Sequence, residues 1–398
     1  MPGPLAGIRI LDFSAVLSGP MATAMLADQG AEVIKVEPPE GDTTRMIGPA
    51  KGRMSAMYIA ANRGKRSIVI DLKQEAGRTL ALSMAARCDV LVENFRPGAM
   101  ARLGLDHAAV SAVNPRIIYL SISGFGASGP DSGARVYDAV VQAVSGFAAA
   151  HREPRTKEPM LLATTLCDKL TALTAAQALT AALYARERDG AGRLIELSML
   201  DAALAFQWPD AMYNHVFVDD PPPPFPEFGA NQRLWKTADG HLATMVPQQG
   251  EFAALCEGLG RPDIAQDPRF ASLAMRSRHA VELRALLEPL FAALTTDEAL
   301  ARLKAAGVPV GRVNERADVL TDPQVVHNGA IGVVANGPVG RVRLARGAAR
   351  FDGKPCELPG PAPDLGADGP ALLRDLGFTE AEIAAMVAAG GVQVPAGR

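Results

Sequence analysis

The sequence predicts an α/β protein built on a mostly parallel sheet with helices on its faces. Three observations carry this. Short apolar runs alternate with helical patterns through the first 200 residues, the rhythm of successive strand–helix–strand units. The 38 glycines and 30 prolines punctuate that rhythm and form no fixed-period repeat. A chain of 398 residues, 48% of them apolar, also has the material for two domains and a sizeable core.

In chain order, residues 8–13 read as a strand and 19–30 as a helix that stops at Gly30. Residues 31–37 form a second strand, closed by Pro38 and Pro39. After an irregular stretch, 67–72 is a third strand and 74–86 a helix; strands at 89–94 and 117–123 then flank a helical segment over 100–113. A small-residue helix follows over 138–149, and a stronger one over 168–188 ends at DGAG. Residues 193–198 read as a strand and 199–218 as a helix, which Pro209 must bend unless it sits near the start. DDPPPPFP at 219–226 cannot continue a helix and is the clearest linker. Beyond it come a hairpin over 233–246 turning at Asp239 and Gly240, and helices over 251–259, 279–294 and 298–306. Strand material at 333–345 could belong to either domain. Thr379 and Glu382 stand in capping-box spacing at the start of a closing helix over 379–389.

Composition removes several function classes. Lys and Arg number 40 against 43 for Asp and Glu, a formal charge of −3, without the basic excess that binding nucleic-acid phosphates requires. No run of 18 apolar residues exists to span a membrane. MPGPLAGIRILDF lacks the basic-then-apolar order of a secretion signal, so a soluble, cytoplasmic protein is expected. The four cysteines lie far apart with no CxxC, and the six histidines stand singly, so neither a disulfide framework nor a metal centre is indicated. The first strand is followed by SAVLSGP, which lacks the G-x-G-x-x-G of dinucleotide binding. No G-x-S-x-G elbow or phosphate-binding P-loop occurs, and Ser14 and Ser18 have no evident base.

The basic residues are more informative. NRGKR at 62–66 crowds Arg63, Lys65 and Arg66 before a strand; Arg96 ends ENFR, Arg102 follows closely, and Arg135 comes after SGFGASGP. Singly each reads as a solvated surface charge. Together they sit at the ends or beginnings of successive strand–helix units, which a parallel sheet gathers on one edge, and a convergent set of cations suits a phosphorylated small molecule. Asp168, in TLCDKLTAL, has two readings. As an N-cap it would accept a bond from an orphan amide one turn inside the helix. As a nucleophile it would be held ionised by the helix amides and could attack an activated carbonyl with no partner base, while Ala172, Ala175 and Ala176 behind it permit close, rigid packing.

These segments resemble the family III CoA-transferases. The likeness runs through RILDFSAVLSGPMATAMLADQGAEVIKVEPPEGDTTR at 9–45, NRGKRSIVIDLK at 62–73, DVLVENFRPGAMARLGL at 89–105 and NPRIIYLSISGFGASGP at 114–130. It continues in RVYDAVVQAVSGF at 135–147 and in LCDKLTALTAAQALTAALYARERDGAGRLIELSMLDAALAF at 166–206. It thins afterwards but persists in LWKTADGHLA, CEGLGRPDIAQDPRF and AAGVPVGRVNERADVLTDPQVVHNGAI. The resemblance implies an enzyme acting on coenzyme A thioesters, with Asp168 as nucleophile, acyl–aspartyl anhydride and aspartyl-CoA thioester intermediates, and no tightly bound cofactor or metal. It implies coenzyme A contacts at Val16, Leu17, Arg63, Arg66, Asn94, Arg96, Arg102 and Arg135, with Tyr137 and Gly229 as supporting residues. Arg135 stands where the formyl-CoA branch has a Lys.

Two departures bear on the substrate. The formyl-CoA branch has a Gln where Leu17 stands and a run of glycines where PEFGANQR at 226–233 offers one, which points to a bulkier, less polar acid than oxalate or formate. The related α-methylacyl-CoA racemases have His-Asp where this chain has Tyr137 and Asp138, and a phenol is a poorer base than imidazole near neutral pH. A racemase or a non-catalytic homologue that binds coenzyme A esters are the alternatives. The resemblance further implies an interlocked homodimer of Rossmann-like large domains. In that arrangement 1–200 begins the large domain, 201–224 is a helix and linker, 225–325 is a smaller α/β domain, and 326–398 returns to the large one. The expected partners are a coenzyme A thioester, a carboxylic acid and a second copy of the chain, with no nucleic acid or membrane.

Overall fold

A computed structural model describes residues 3–153, 155–227, 234–358 and 360–393. The chain divides into two compact units, one made of the residues up to Trp208 together with those from Val326 onward, the other of Pro209–Val325.

The larger unit opens with β1 (Arg9–Asp12), α1 (Ser18–Ala27) and β2 (Glu32–Glu37). The irregular stretch after β2 contains a small hairpin, β3 (Ala50–Lys51) and β4 (Met54–Ser55), and a helix that periodicity did not reveal, α2 (Ala56–Asn62). Its one local signal is Ser55, whose side chain caps it by accepting from the Tyr58 N–H. Then come β5 (Arg66–Ile70), α3 (Glu75–Ala85) and β6 (Val90–Glu93). The expected helix over 100–113 is two helices, α4 (Ala99–Leu103) and α5 (His107–Val113), because Gly104 turns left-handed at φ 69° and Asp106 caps a new start. After β7 (Ile118–Ser123), Gly146 (φ 98°) likewise splits α6 (Asp138–Ser145) from α7 (Phe147–Ala150). The long α8 (Leu166–Asp189), β8 (Arg193–Ser198) and α9 (Met199–Ala211) follow. Pro209 lies in the last turn of α9, which therefore ends at 211 and not at 218.

Six of these strands are parallel, in the order β5-β2-β1-β6-β7-β8. The chain steps outward from β1 through β2 to β5, then returns to the other side of β1 with β6. That reversal is the Rossmann arrangement, and it opens a crevice at the carboxyl ends of β1 and β6. Successive side chains alternate between two cores. Leu11, Ile34, Leu91 and Tyr119 face one side with α3, while Ile10, Val33, Val90 and Ile118 face the other with α1 and α8. Burial on both faces explains why these strands read as unbroken apolar runs.

The smaller unit carries an antiparallel sheet of β9 (Trp235–Lys236), β10 (His241–Thr244) and a later strand, β11 (Val310–Arg312). Between β10 and β11 lie α10 (Gln249–Gly258), α11 (Pro262–Gln266), α12 (Leu273–Arg278), α13 (Ala280–Ala292) and α14 (Thr296–Ala305). Phe252, Phe270 and Phe291 are fully buried in its core, and Trp235 stacks on Phe291 with ring centroids 4.7 Å apart.

After α15 (Pro323–Asn328), the chain makes two separate hairpins, β12 (Ile331–Ala335) with β13 (Arg341–Ala345) and β14 (Arg350–Phe351) with β15 (Lys354–Pro355). Helices α16 (Gly369–Asp375) and α17 (Glu380–Ala388) then cover the β5 side, and Thr379 and Glu382 form the expected capping box. The final strand, β16 (Val392–Gln393), joins the main sheet antiparallel to β5.

Candidate active site

Every parallel strand of the large unit sends its following loop to the same edge, and β1 supplies a short, constrained turn. Four residues separate Phe13 from the first turn of α1. Val16 adopts φ 68°, a left-handed conformation that a β-branched residue occupies only under constraint. A Cβ on Gly19 would collide with Ser14, so only glycine lets α1 start this close. Asn94, at the end of β6, fixes the turn: its Oδ1 accepts from the Ala15 N–H at 2.8 Å and its Nδ2 donates to the Ala15 carbonyl at 2.7 Å.

Asp168 meets this turn from the other side. It lies in the first turn of α8, but it is not the N-cap, which is Thr165. Its own main-chain N–H donates to Asp138 Oδ1 at 2.9 Å, so Asp138 satisfies one of the orphan amides of α8 from outside the helix. Gln142, one turn further along α6, donates to Asp138 Oδ2 and to the Thr164 carbonyl, and accepts from the Leu162 N–H at 2.9 Å. The loop before α8 is thereby fixed to α6. Ala172 and Ala175 are fully buried behind Asp168.

Asp168 is 9% exposed, and the main-chain N–H and hydroxyl of Ser18 lie beside its carboxylate and favour the ionised form. Burial, followed by the Asp138 charge, raises it to about 6, with Lys169 and then Ser18 acting in the opposite sense. The helix amides therefore do not hold it at an ordinary carboxylate value. It is mostly ionised at pH 7 and poised close to its own titration. Cys167 beside it is no rival nucleophile, because burial pushes its thiol up to about 12.

A cavity of about 290 Å³ stands over Asp168. Val16, Asn94, Arg96, Arg135 and Tyr137 all line it, together with Ser18 and Met199. Arg96 and Arg135 are exposed, and among the described residues neither guanidinium enters an ion pair. A second cavity of about 310 Å³ lies over the ends of β1, β2 and β5, walled by Phe13, Val36, Pro38, Ile70 and Leu72, with Lys73 at its rim. Ala15 and Phe95 line both, so the two spaces adjoin along one sheet edge.

The structure does not gather all the expected cations here. The Arg63 guanidinium pairs with Asp28 at 2.5 Å, and Arg66 pairs with Glu32 at 3.0 Å and Asp375 at 2.7 Å. Lys65 is buried against Asp12 at 2.8 Å. The reason is topological. NRGKR precedes β5, and parallel strands begin on the edge opposite to the one where they end, so Arg63 and Arg66 emerge beside the start of β2 and the end of α1. Arg102 is exposed on the last turn of α4 and lines neither cavity. Leu17 stands at the N-cap of α1, is 8% exposed and lines neither cavity. Gly229 lies outside the described residues.

Sequence reasoning missed Ser18, set aside for want of a base, and Asp138, seen only as half of a departed motif. It also missed the apolar walls of the second cavity, since Phe13, Val36 and Ile70 look like any other strand residue. Among the described residues, no His, Cys, Asp and Glu cluster is arranged to hold a metal, all four cysteines are free, and no helix is long and apolar enough to cross a membrane.

Comparison with known proteins adds an independent line. The model of CoA-transferase family III matches residues 5–369. The acetyl-CoA:oxalate CoA-transferase of Acetobacter aceti is 36% identical over 394 residues, covering 96% of this chain and 97% of the relative. The succinate–glutarate CoA-transferase of Agrobacterium fabrum is 37% identical over 337 residues, covering 82% of this chain and 84% of the relative. The crystal structure of a CAIB/BAIF family protein from Brucella suis superposes with a TM-score of 0.82 at 34% identity, covering 94% of this chain and 100% of that one.

Proposed function

The chain belongs to CoA-transferase family III and is a CoA-transferase, and on that premise we propose that Asp168 transfers coenzyme A from an acyl thioester to a carboxylic acid through covalent intermediates. The observation that carries this reading is the place of the Asp168 carboxylate, buried beside Ser18 in the wall of a cavity that Arg96 and Arg135 also line.

A carboxylate oxygen of Asp168 attacks the acyl carbon of the donor thioester. The C–S bond breaks, the sulfur leaves with the electron pair, and an acyl–aspartyl anhydride forms. The thiolate then attacks Cγ of Asp168, and the donor acid departs as a carboxylate carrying the bridging oxygen. Asp168 is left as a thioester of coenzyme A. An acceptor carboxylate attacks that Cγ and expels the thiolate, which attacks the acceptor acyl carbon of the new anhydride. This releases the product thioester and regenerates Asp168. Each attack places negative charge on a carbonyl oxygen, which the Ser18 N–H and hydroxyl are near enough to stabilise in the aspartyl half. Both intermediates hydrolyse readily, so water must be kept out while they exist.

The long coenzyme fits the two adjoining cavities. The apolar cavity at the ends of β2 and β5 suits the adenine end, with Lys73 close to the phosphates, and the cavity over Asp168 takes the thioester between Arg96 and Arg135. Tyr137, 73% exposed at the start of α6, borders the reacting end. The same proposal includes an interlocked homodimer. Val144, Leu173, Tyr184 and Phe206 are 54–68% exposed, an apolar surface suited to a second copy.

Incubating the protein with an acyl-CoA, quenching in acid and measuring peptide masses tests this reading. A coenzyme A thioester on the peptide carrying Asp168 supports it. Solvent deuterium entering C2 of the acyl group, with no adduct and no transfer, would instead make the protein a racemase.

A further inference from the structure

The turn from β1 to α1 is tied down by buried charge. Lys35 Nζ donates to the Ser14 carbonyl at 2.6 Å and to Asp42 Oδ2 at 2.7 Å. The other oxygen of Asp42 accepts from the Val16 N–H at 3.4 Å and from the Thr44 N–H at 2.9 Å. Lys35 and Asp42 each have side chains only 1% exposed. Burying such a pair costs several kcal/mol of desolvation per ion, and apolar replacements of buried pairs are often neutral or stabilising. The fold alone therefore gives no strong reason for this pair. The turn does: Val16 holds a left-handed conformation that a β-branched residue occupies only under constraint, and two residues later Ser18 lies beside Asp168 in the wall of the same cavity.

We propose that the buried Lys35–Asp42 pair is a positioning device, clamping the strained turn on either side of Ala15 so that Ser18 stays against Asp168. The inference rests on Asp168 being the nucleophile. Lys35 holds the turn at the Ser14 carbonyl and Asp42 holds it at the Val16 N–H. Releasing the first lets Val16 relax toward negative φ, which draws the Ser18 N–H away from the carboxylate. The Ser18 N–H and hydroxyl favour the ionised form, so drawing them away raises the pH at which Asp168 becomes a nucleophile. The other charged groups facing Asp168 are Asp138 on α6, Lys169 on its own helix, and Arg96 and Arg135 across the cavity. None lies within the turn. The clamp itself stays charged over this range. Burial opposes the Lys35 charge, but Asp42, Asp12 and Glu37 outweigh it and raise its pKa; burial likewise opposes Asp42, and Lys35 leads the groups that lower it.

Lys35→Met alone would strand Asp42 without its counter-charge, so the decisive variant is K35M/D42N, in which the neutral amide put in place of the carboxylate still offers an oxygen to the Val16 and Thr44 N–H groups. The readout is the pH dependence of adduct formation on Asp168 with acetyl-CoA, followed by mass, with thermal unfolding as the fold control. The expected result is a folded protein that labels more slowly at every pH and whose acid limb moves up by about half to one pH unit, so that the slowing is severalfold greater at pH 6 than at pH 8. Adding Val16→Gly, which removes the strain the clamp opposes, should move the limb part of the way back. A folded double variant with an unmoved limb overturns the proposal. So does a double variant that cannot fold, since the pair would then serve the fold rather than the turn. Wild-type protein that forms no adduct at Asp168 at any pH removes instead the nucleophile reading on which the proposal rests.

Discussion

The main-chain N–H of Asp168 donates to Oδ1 of Asp138 at 2.9 Å, so the carboxylate that starts α6 also raises the pKa of the residue α8 presents to the cavity. Burial is the larger cause of that rise and Asp138 the second, so this one contact contributes to both the placement and the electrostatics of the proposed nucleophile, and its two effects can be separated by substitution. Asp138→Asn keeps an acceptor for the amide but removes the like charge. Asp168 should then titrate below about 6, and the acid limb of kcat/KM should move to lower pH. Asp138→Ala also removes the acceptor and should cost about 1–2 kcal/mol of stability, as loss of a helix cap does. An acid limb unchanged in a folded Asp138→Asn protein would show that the charge does not reach Asp168.

Asp168 is expensive to keep ionised. Its folded value of about 6 lies above the ordinary 3.8, so the fold favours the protonated form. That contribution is fully present below pH 3.8 and is lost as pH rises through 6, leaving a deficit of about 3 kcal/mol at pH 7. Asp168→Asn should therefore stabilise the protein by about 1–3 kcal/mol at pH 7 and by little near pH 4, while abolishing transfer. Denaturant unfolding at the two pH values checks both the sign and its pH dependence. Destabilisation at pH 7 would mean that the carboxylate is part of the fold.

The basic residues divide by sheet edge. Arg63→Ala leaves Asp28, whose side chain is 3% exposed and whose carboxyl burial already raises, without its partner. It should cost about 1–3 kcal/mol of stability with little change in KM for an acyl-CoA. Arg96→Ala and Arg135→Ala should do the reverse, raising KM severalfold at unchanged thermal stability. Calorimetric unfolding alongside steady-state kinetics distinguishes the two groups.

Cysteine chemistry should be dispensable. Cys167 adjoins the nucleophile, but its thiol is buried and held protonated at neutral pH by burial and by Asp138 and Asp168. Iodoacetamide at about pH 7.5 should leave activity intact, and Cys167→Ala should retain most of it. Loss of activity that tracks alkylation of Cys167 would reopen the choice of nucleophile.

The parallel sheet was legible in the sequence because both of its faces are buried, which turns Val33, Ile34, Val90 and Leu91 into apolar runs bounded by glycine and proline. Asp168 was legible because its surroundings match a long family segment, although its environment was misread. A helix start alone suggests a lowered pKa, whereas desolvation and Asp138, which is 30 residues away in sequence, raise it. The ion pairs of Arg63 and Arg66 were not legible, because sequence shows that a charge neighbours a strand but not which sheet edge it reaches, nor which distant carboxylate, such as Asp375, neutralises it. Helix α2 was lost since seven residues show too few turns for periodicity to register, and the second cavity was hidden because its walls are ordinary apolar strand ends.

Isotope transfer tests the central claim most directly. If an acceptor acid attacks Cγ of the Asp168 thioester, one of its carboxylate oxygens becomes the anhydride bridge and stays on Asp168 when the product thioester leaves. With any donor and acceptor pair that turns over, an acceptor labelled in both carboxylate oxygens with ¹⁸O should make the Asp168 side chain heavier by one label in the first cycle, and by a second in a later cycle in which the remaining unlabelled oxygen makes the attack and leaves with the donor acid. Rapid transfer that leaves the Asp168 peptide at its unlabelled mass would contradict the account.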